Sequence, residues 1–240
     1  MALLATACGS ADSAPDGDSG GVIITPLNTP AISEATPPGD STPANADATP
    51  PPTQDSASSL TGFIYPIAGG CLPVGDQLMP NAPRDYRQGT HEGVDFYAVD
   101  NCTAITIDTP VMAAKAGVVI RADFDYVNPT LQEMNAYLAD PTSDTSFDAF
   151  RGRQVWVDHG NGIVTRYCHL NDIVAGLTLG ASVNAGDVIA YVGETGTPES
   201  LNTPGNQYHL HFELRVGDSY LGAGLLPQEV RGLYLELFGQ

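Results

Sequence analysis

The decapeptide QYHLHFELRV, residues 207–216, limits the possible folds of this chain more than any other segment. In a β-strand its polar side chains would all point to one face and its apolar side chains to the other. In an α-helix, His209 and His211 would point about 200° apart, at roughly 100° per residue, and would not share a target. The alternation therefore predicts a strand with one buried apolar face. The opposite face carries His209, His211, Glu213 and Arg215.

Short runs of alternating, β-branched or aromatic residues continue through the chain from residue 61 onward. Turn-forming sequences separate these runs, among them NG at 161–162 and NAGD at 184–187. This pattern is typical of an all-β domain, and we expect two packed or partly closed sheets.

The segment NPTLQEMNAYLAD, residues 128–140, departs from the strand pattern. Asn128 suits the N-cap of a helix and Pro129 suits its first position. Apolar residues then recur at helical spacing. We therefore predict one short helix inside an inserted loop at about 123–152. Such an insert is either a surface elaboration or a wall of the functional groove.

Residues 9–60 differ in composition from the rest of the chain. They contain no Lys, Arg, His or aromatic residue and are rich in Pro, Ser, Thr, Asp, Gly and Ala. Such a sequence cannot bury enough apolar surface to offset the entropy of ordering. We expect a disordered, partly polyproline-II tether over 9–60 and a folded domain over 61–240.

The first eight residues, MALLATAC, resemble the end of a secretory signal that leads to a bacterial lipobox cysteine. In this interpretation residues 1–8 are a truncated signal segment and Cys8 is a lipid anchor. The protein would then be exported and held at the cell envelope, or otherwise secreted. The alternative is an ordinary N-terminus with a chance cysteine.

Three cysteines remain beyond Cys8. An exported protein could pair two of them, and Cys71 and Cys102 are the better candidates because they flank the HEGVD stretch. Cys168 stands beside a histidine, and we expect it to be a buried small residue. The prediction is therefore a Cys71–Cys102 disulfide.

The composition is strongly acidic, with 28 acidic and 9 basic residues and a formal net charge of −19. This charge argues against nucleic acid as a partner, because little could neutralise a phosphate backbone. It also argues against electrostatic binding to an anionic membrane. No apolar run approaches the roughly 20 residues that span a bilayer. We expect a monomer that contacts a membrane only through a lipid anchor at Cys8.

The histidines suggest a metal site. His91 and Asp95 are four residues apart and share one face of a strand, and both residue types are zinc ligands. One imidazole from His211 brings the count to three and leaves one tetrahedral position open, as in catalytic zinc sites. His169 and His209 would remain near the single zinc without binding it. Neutral imidazoles there can accept a proton or donate to a developing oxyanion.

Three blocks of sequence, RQGTHEGVDFYA, YCHL and HLHFEL, resemble the signature blocks of the lysostaphin/LytM-type zinc endopeptidases. The resemblance runs from about residue 61 to 220. It implies an all-β, barrel-sandwich hybrid of antiparallel sheets, to which the insert at 123–152 would add one short helix. The insert and Cys168 depart from the family pattern.

The resemblance also implies a role for each matching residue. His91, Asp95 and His211 correspond to the zinc ligands, and His169 and His209 correspond to the catalytic histidines. The fifth histidine of the chain, His159 in VDHGNG, matches a position with no metal role, and we expect it to support a turn.

The function implied is zinc-dependent endopeptidase activity on the stem or cross-bridge peptides of peptidoglycan, in cell-wall remodelling or lysis. The alternative is a non-hydrolytic regulatory or wall-binding module on the same fold. Such members typically lose ligands or catalytic histidines, whereas this chain retains the full set. A third possibility is a lipoyl- or biotinyl-type carrier modified on Lys115, the only lysine, but a carrier needs no histidine site.

Overall fold

The computed structural model describes residues 60–240. The predictions for residues 1–59, including Cys8 as a lipid anchor, lie outside the described residues. Leu60 and Phe63 are already part of the hydrophobic core, at 4% and 5% exposure. Within residues 60–240, no helix has the length and apolar character needed to cross a membrane.

Twelve strands and four α-helices lie between residues 60 and 240. The strands are β1 (Pro83–Arg84), β2 (Gly89–Thr90), β3 (Val94–Tyr97), β4 (Pro110–Met112), β5 (Gly117–Ala122), β6 (Val155–Asp158), β7 (Ile163–Cys168), β8 (Leu170–Ile173), β9 (Ser182–Val183), β10 (Val188–Val192), β11 (His209–Val216) and β12 (Ser219–Tyr220). The α-helices are α1 (Leu131–Ala139), α2 (Asp144–Phe150), α3 (Glu199–Asn202) and α4 (Pro227–Leu237). Short 3-10 helices occupy Asp76–Leu78, Asp85–Arg87 and Ala98–Asp100.

The strands form three antiparallel sheets. The largest has seven strands in the order β12-β11-β7-β6-β5-β9, with β3 also paired to β11. A second sheet has the order β4-β10-β8, and β1 pairs with β2. All of these pairings are antiparallel, so the predicted all-β fold is confirmed.

Strand β11 is the centre of the largest sheet. It pairs with β7 along one edge, and with β3 and then β12 along the other. The apolar face predicted from the alternation packs into the core, where Leu210, Phe212 and Leu214 are fully buried. The opposite face is also covered, which the alternation did not predict. Its first three side chains, His209, His211 and Glu213, are each 6% exposed or less.

The insert at 123–152 contains two helices instead of the single one predicted. Helix α1 begins after Thr130, not after Asn128. The Thr130 hydroxyl accepts from the Glu133 backbone N–H at 3.3 Å, and the Glu133 carboxylate accepts from the Thr130 N–H at 2.8 Å. This reciprocal capping box outcompetes Asn128 for the helix start. The Asn128 side chain instead accepts from the backbone N–H of Gly196 at 3.0 Å.

The second helix of the insert, α2, was not predicted. Ser143 caps it by accepting from the Ser146 backbone N–H at 3.3 Å. Only Ser146 and Phe150 of its seven residues are buried, so the segment has too weak a periodicity for a sequence-based prediction.

Helix α4 was also not predicted. Pro227 occupies its first turn, and the Glu229 carboxylate accepts from the Leu226 backbone N–H at 2.9 Å. Its buried side chains, Val230, Tyr234 and Leu237, join the hydrophobic core. The helix therefore adds to the core of an otherwise β-sheet domain.

Candidate metal centre

Three predicted ligands meet where β3 and β11 pair. Asp95 on β3 lies directly opposite His211 on β11, and His91 precedes β3 in the chain. Asp95 Oδ1 lies 2.9 Å from His91 Nε2 and 2.8 Å from His211 Nδ1. The two imidazole nitrogens are 2.9 Å apart. The structure therefore brings His91, Asp95 and His211 together as one group of possible metal ligands.

The other nitrogen of each imidazole indicates which tautomer is present. His91 Nδ1 lies 3.0 Å from the carbonyl oxygen of Met79, and His211 Nε2 lies 3.2 Å from a carboxylate oxygen of Glu213. Each of these nitrogens must donate a proton to its oxygen acceptor. The nitrogens that face Asp95 then present lone pairs. Three acceptor atoms this close need a cation or a shared proton between them, and two imidazoles with one carboxylate suit zinc.

Gly93 allows the two strands to approach closely enough for the ligands to meet. A β-carbon at this position would lie 2.4 Å from the carbonyl oxygen of Phe212 and 2.9 Å from the ring of His211. No side chain fits in that space. The glycine of the HEGVD stretch is therefore required by the pairing of β3 with β11.

Burial and charge set the protonation of the ligands. Burial lowers the pKa of His91 to about 4, despite the neighbouring Asp95. Burial alone would raise the pKa of Asp95, but the two imidazoles hold it well below its usual range. Burial would lower the pKa of His211, but the carboxylates of Asp95 and Glu213 raise it. The centre therefore keeps an ionised carboxylate near neutral pH, as a cation site requires.

The two predicted catalytic histidines lie beside these ligands. The ring centres of His169 and His209 are 4.6 Å apart, and His169 is 5.7 Å from the ring of His211. His169 Nδ1 lies 2.8 Å from the Thr195 carbonyl, and His209 Nδ1 lies 2.6 Å from the Gln207 carbonyl. Both Nδ1 atoms therefore carry the proton, which leaves Nε2 of each ring as the basic nitrogen.

Both histidines are held neutral. Burial is the main cause that lowers the pKa of each, and neighbouring histidines lower the pKa of His169 further. Tyr97 stacks on His209 with ring centres 4.2 Å apart and planes 10° from parallel. His209 therefore has a fixed ring plane. Both rings are unprotonated near neutral pH, so each keeps a free lone pair on Nε2.

Glu213 is a buried residue in contact with the candidate ligand His211, and the sequence-based prediction did not include it among the site residues. It is 1% exposed and accepts from Arg151 Nε at 2.7 Å, and from Arg166 and Arg215 at 3.3 Å. Burial would raise its pKa, but His211 and these guanidinium groups hold it well below its usual range. Its position on the same face as His211, two residues further along β11, was the signal that could have identified it.

Arg84 is a second missed residue. Its Nη2 atom donates to Asp95 Oδ2 at 3.0 Å, so the carboxylate oxygen that does not face the imidazoles is also satisfied. Asp95 thus has one oxygen directed at the candidate metal position and one fixed by a guanidinium. This arrangement orients the ligand.

The candidate metal centre opens into a cavity of about 390 Å³. Phe150 and Arg151, at the end of the insert, line this cavity together with His169, His209 and the ligands. The insert is therefore a wall of the functional groove rather than a surface elaboration alone.

A second cluster of possible ligands shares His211. It consists of Cys168, His211 and Glu213. The Glu213 carboxylate is already bonded to three guanidinium groups, and burial raises the pKa of the Cys168 thiol well above its usual range. Neither group is ready to bind a cation, so the first cluster is the better metal site.

His159 and Lys115 lie away from the candidate metal centre. His159 lies 2.9 Å from both the Ala116 carbonyl and Thr165 Oγ1, where it supports the turn after β6. Lys115, considered as a carrier lysine, contacts the Thr61 carbonyl and lies 4.8 Å from the ring centre of Phe63.

The cysteines occupy two different environments. Cys71 and Cys102 form a disulfide, with Cα atoms 5.6 Å apart. Cys168 is a buried free cysteine. The bridge joins the segment before β1 to the segment after β3, so it encloses the part of the chain that carries His91 and Asp95.

An antiparallel β domain that gathers two histidines and an aspartate beside two further neutral histidines has the layout of a metallohydrolase. The sequence model of peptidase family M23 matches residues 89–222, more than half of the chain. The chain belongs to this family, and the lysostaphin/LytM-type resemblance inferred from its sequence is confirmed.

Several solved structures are similar to this chain. A zinc-containing peptidase from Vibrio cholerae is 22% identical and has a TM-score of 0.43 over 69% of this chain, which spans only 41% of that protein. The catalytic domain of the antimicrobial peptidase lysostaphin from Staphylococcus simulans is 22% identical and has a TM-score of 0.37. This match covers 68% of the present chain and 89% of the lysostaphin domain. The pore-forming SpoIIQ–SpoIIIAH complex gives 17% identity and a TM-score of 0.41, with 67% of this chain and 87% of that one covered. No curated protein matches the chain.

Proposed function

We propose that this chain is a zinc-dependent endopeptidase that hydrolyses peptide bonds in the stem or cross-bridge peptides of peptidoglycan. The observation that carries the proposal is the meeting of His91, Asp95 and His211 through acceptor atoms within 2.9 Å of one another. Membership in peptidase family M23 supports peptide hydrolysis. The resemblance to lysostaphin/LytM-type enzymes supports peptidoglycan as the source of the peptide.

Zinc held by the three ligands would supply Lewis-acid polarisation of the scissile carbonyl and would acidify the attacking water. The chain supplies the proton transfers. The Thr195 and Gln207 carbonyls fix the Nδ1 protons of His169 and His209, so each Nε2 atom can accept a proton from the attacking water. A ring that has gained this proton can stabilise the oxyanion or protonate the leaving amine.

The test separates metal binding from proton transfer. We expect His211→Ala to lose zinc, and His159→Ala, the matched control, to retain one zinc per chain. We expect His169→Ala and His209→Ala to retain zinc while their hydrolysis of purified peptidoglycan falls about 100-fold or more. Zinc content is measured by atomic absorption, and released peptides by mass spectrometry.

Two results would overturn the proposal. Full zinc occupancy in His211→Ala would remove the ligand assignment. Zinc-loaded wild-type protein that binds peptidoglycan without releasing any peptide would instead indicate a non-hydrolytic module on the same fold.

We also propose that the protein is exported and anchored to the cell envelope through a lipid on Cys8. The Cys71–Cys102 disulfide supports export, because such bonds persist in oxidising compartments. Cell fractionation of the full chain tests this: Cys8→Ser should move the protein from the membrane fraction to the soluble fraction. Recovery of the wild-type protein in the cytoplasm with reduced Cys71 and Cys102 would contradict the proposal.

A further inference from the structure

Within residues 60–240, Arg87 differs from every other arginine because no carboxylate oxygen of this region lies within 4.0 Å of it. Eight of the nine basic residues are arginines, and all eight lie within residues 60–240. Each of the other seven has a described Asp or Glu oxygen within 4.0 Å. Among the residues described here, no such oxygen reaches Arg87. With 28 acidic residues in the chain, a shortage of carboxylates does not explain this.

Arg87 is also buried, with 7% of the residue exposed. It donates to the carbonyl of Thr90 through Nη2, while its buried Nε has no hydrogen-bond partner within residues 60–240. Its face lies 4.6 Å from the ring centre of Phe147. A buried cation without a directly paired carboxylate is unfavourable. Arg84 and Arg151 repel Arg87, and the attraction from Glu92 acts without a direct ion pair. The arrangement therefore lacks an anion.

Arg87 lines the cavity that contains the candidate metal centre. Two other arginines line the same cavity, but both are neutralised. Arg84 is paired with Asp95, and Arg151 is paired with two glutamates. The one other carboxylate among the lining residues is that of the exposed Glu199. Arg87 therefore gives the cavity a positive charge that is available to a ligand.

We propose that Arg87 binds a free carboxylate of the substrate. A guanidinium presents two parallel N–H groups that match the two oxygens of a carboxylate, so the pairing is selective as well as strong. The inference rests on the proposed peptidase function and adds to it a substrate class, peptides with a free carboxylate near the scissile bond. That carboxylate belongs either to an acidic side chain or to a chain terminus.

The insert contributes to this subsite through Phe147. The ring centre of Phe147 lies 4.6 Å from Cζ of Arg87 and 4.2 Å from Cζ of Arg151. A ring that contacts two cations spaces them and fixes the plane of each. Helix α2 therefore positions the arginine that selects the substrate, and Phe147 is a positioning residue.

The test uses the full zinc-loaded chain and one family of cell-wall peptides prepared in three forms. In the first form all carboxyl groups are free, in the second only the side-chain carboxyls are amidated, and in the third only the C-terminal carboxyl is amidated. We expect wild-type kcat/KM to fall about 10- to 100-fold for the form that lacks the recognised carboxylate. The arm that shows the fall identifies the source of the carboxylate.

Variants assign the effect to Arg87. We expect Arg87→Gln to lower kcat/KM for the free acid about 10- to 100-fold, mainly through KM, and to leave the poorer amidated form unchanged. Arg87→Lys should restore part of the loss, and Phe147→Leu should raise KM for the free acid alone. Arg231→Gln, which removes an arginine whose partner Asp76 is largely exposed, is the control.

Binding measurements separate this proposal from the proposed function. Calorimetry with the same peptides and zinc-loaded protein reports carboxylate recognition even if no bond is cleaved. Arg87-dependent binding without cleavage would support the carboxylate subsite and overturn the peptidase. Cleavage of all three forms at equal rates, or an equal loss on all three in Arg87→Gln, would overturn the subsite and leave the peptidase standing.

Discussion

The Glu213 carboxylate lies 3.2 Å from Nε2 of His211, and this contact determines which nitrogen of His211 faces the candidate metal centre. Because Nε2 donates its proton to Glu213, Nδ1 is left to bind a cation. The same carboxylate forms ion pairs with the buried Arg151 and with the partly exposed Arg166 and Arg215. One side chain therefore joins the ligand to the charge network that covers the polar face of β11.

We expect Glu213→Gln to reduce zinc affinity about 10- to 100-fold, because the amide is a weaker acceptor for the ligand imidazole. It should also lower the free energy of unfolding by about 3–5 kcal/mol, since removal of one member of a buried ionic network leaves uncompensated charges. Competition titration with a zinc chelator and urea unfolding measure the two effects. Glu236→Gln, at an exposed position of α4, is the control. An unchanged zinc affinity would show that Glu213 has no role in orienting His211.

Gly93→Ala should separate β3 from β11. The added methyl group would lie 2.4 Å from the Phe212 carbonyl oxygen, a distance that requires backbone movement. Since the ligands Asp95 and His211 are held opposite each other by this pairing, we expect loss of tight zinc binding in the zinc titration. Gly89→Ala adds a methyl group 3.6 Å from its nearest neighbour and should bind zinc normally. Equal zinc affinities in the two variants would contradict this prediction.

Removal of the disulfide should destabilise the domain. The bridge closes a loop with a sequence separation of 31 residues, which corresponds to about 3–4 kcal/mol in the chain-entropy description. We expect the double variant Cys71→Ala, Cys102→Ala to lose stability of that order in urea unfolding. Cys168→Ala, which keeps the bridge, is the control. Added reductant should destabilise the wild type and Cys168→Ala but not the double variant. A wild-type protein insensitive to reductant would argue against the bridge.

The zinc-free protein should become less stable as the pH falls from 7.5 to 5.5. Burial lowers the pKa of His91 to about 4 and also lowers the pKa values of His159, His169 and His209. These groups accept protons near pH 6.5 in the unfolded chain but not in the folded one. Their contribution is therefore complete above that pH and is lost as the pH falls. The loss is up to about 1.4 kcal/mol per pH unit for each fully buried histidine, and smaller for the partly exposed and solvent-screened His159. The raised pKa of His211 opposes the trend but is a single group.

Urea unfolding of the zinc-free protein at several pH values measures this slope. His159→Gln removes one of the four groups without touching the metal centre, so its stability should fall less steeply with decreasing pH. A wild-type stability that is constant or rises toward pH 5.5 would contradict the prediction.

The proximity of the candidate ligands could be predicted from the sequence because it depends on local periodicity. The two-residue spacing of His209 and His211 places both on one face of a strand, and the four-residue spacing of His91 and Asp95 does the same near β3. Only the pairing of β3 with β11 was needed to unite them, and the family resemblance supplied it. The all-β class followed from the same alternation.

The burial of the polar face of β11 by side chains of the insert could not be predicted in this way. Arg151 reaches Glu213 from 62 residues away, along an insert whose path depends on tertiary contacts such as Asn128 with Gly196. No periodicity encodes such a path. The burial of Arg87 likewise depends on Phe147 from the same insert. The start of α1 is a different case, because the sequence does encode it. The segment TLQE at 130–133 contains a capping box, which is a stronger N-terminal signal than Asn128.

His169 lies between β7 and β8 with a φ of 60°, in the left-handed region that residues with a β-carbon rarely occupy. A chain selected only for a durable fold would place glycine or asparagine at this turn. Under the proposed function, the histidine marks a stability–function trade-off at one position, where the backbone conformation favours a residue that cannot perform proton transfer. On the same proposal, glycine substitution at this turn would relieve the backbone and at the same time remove a proton-transfer group.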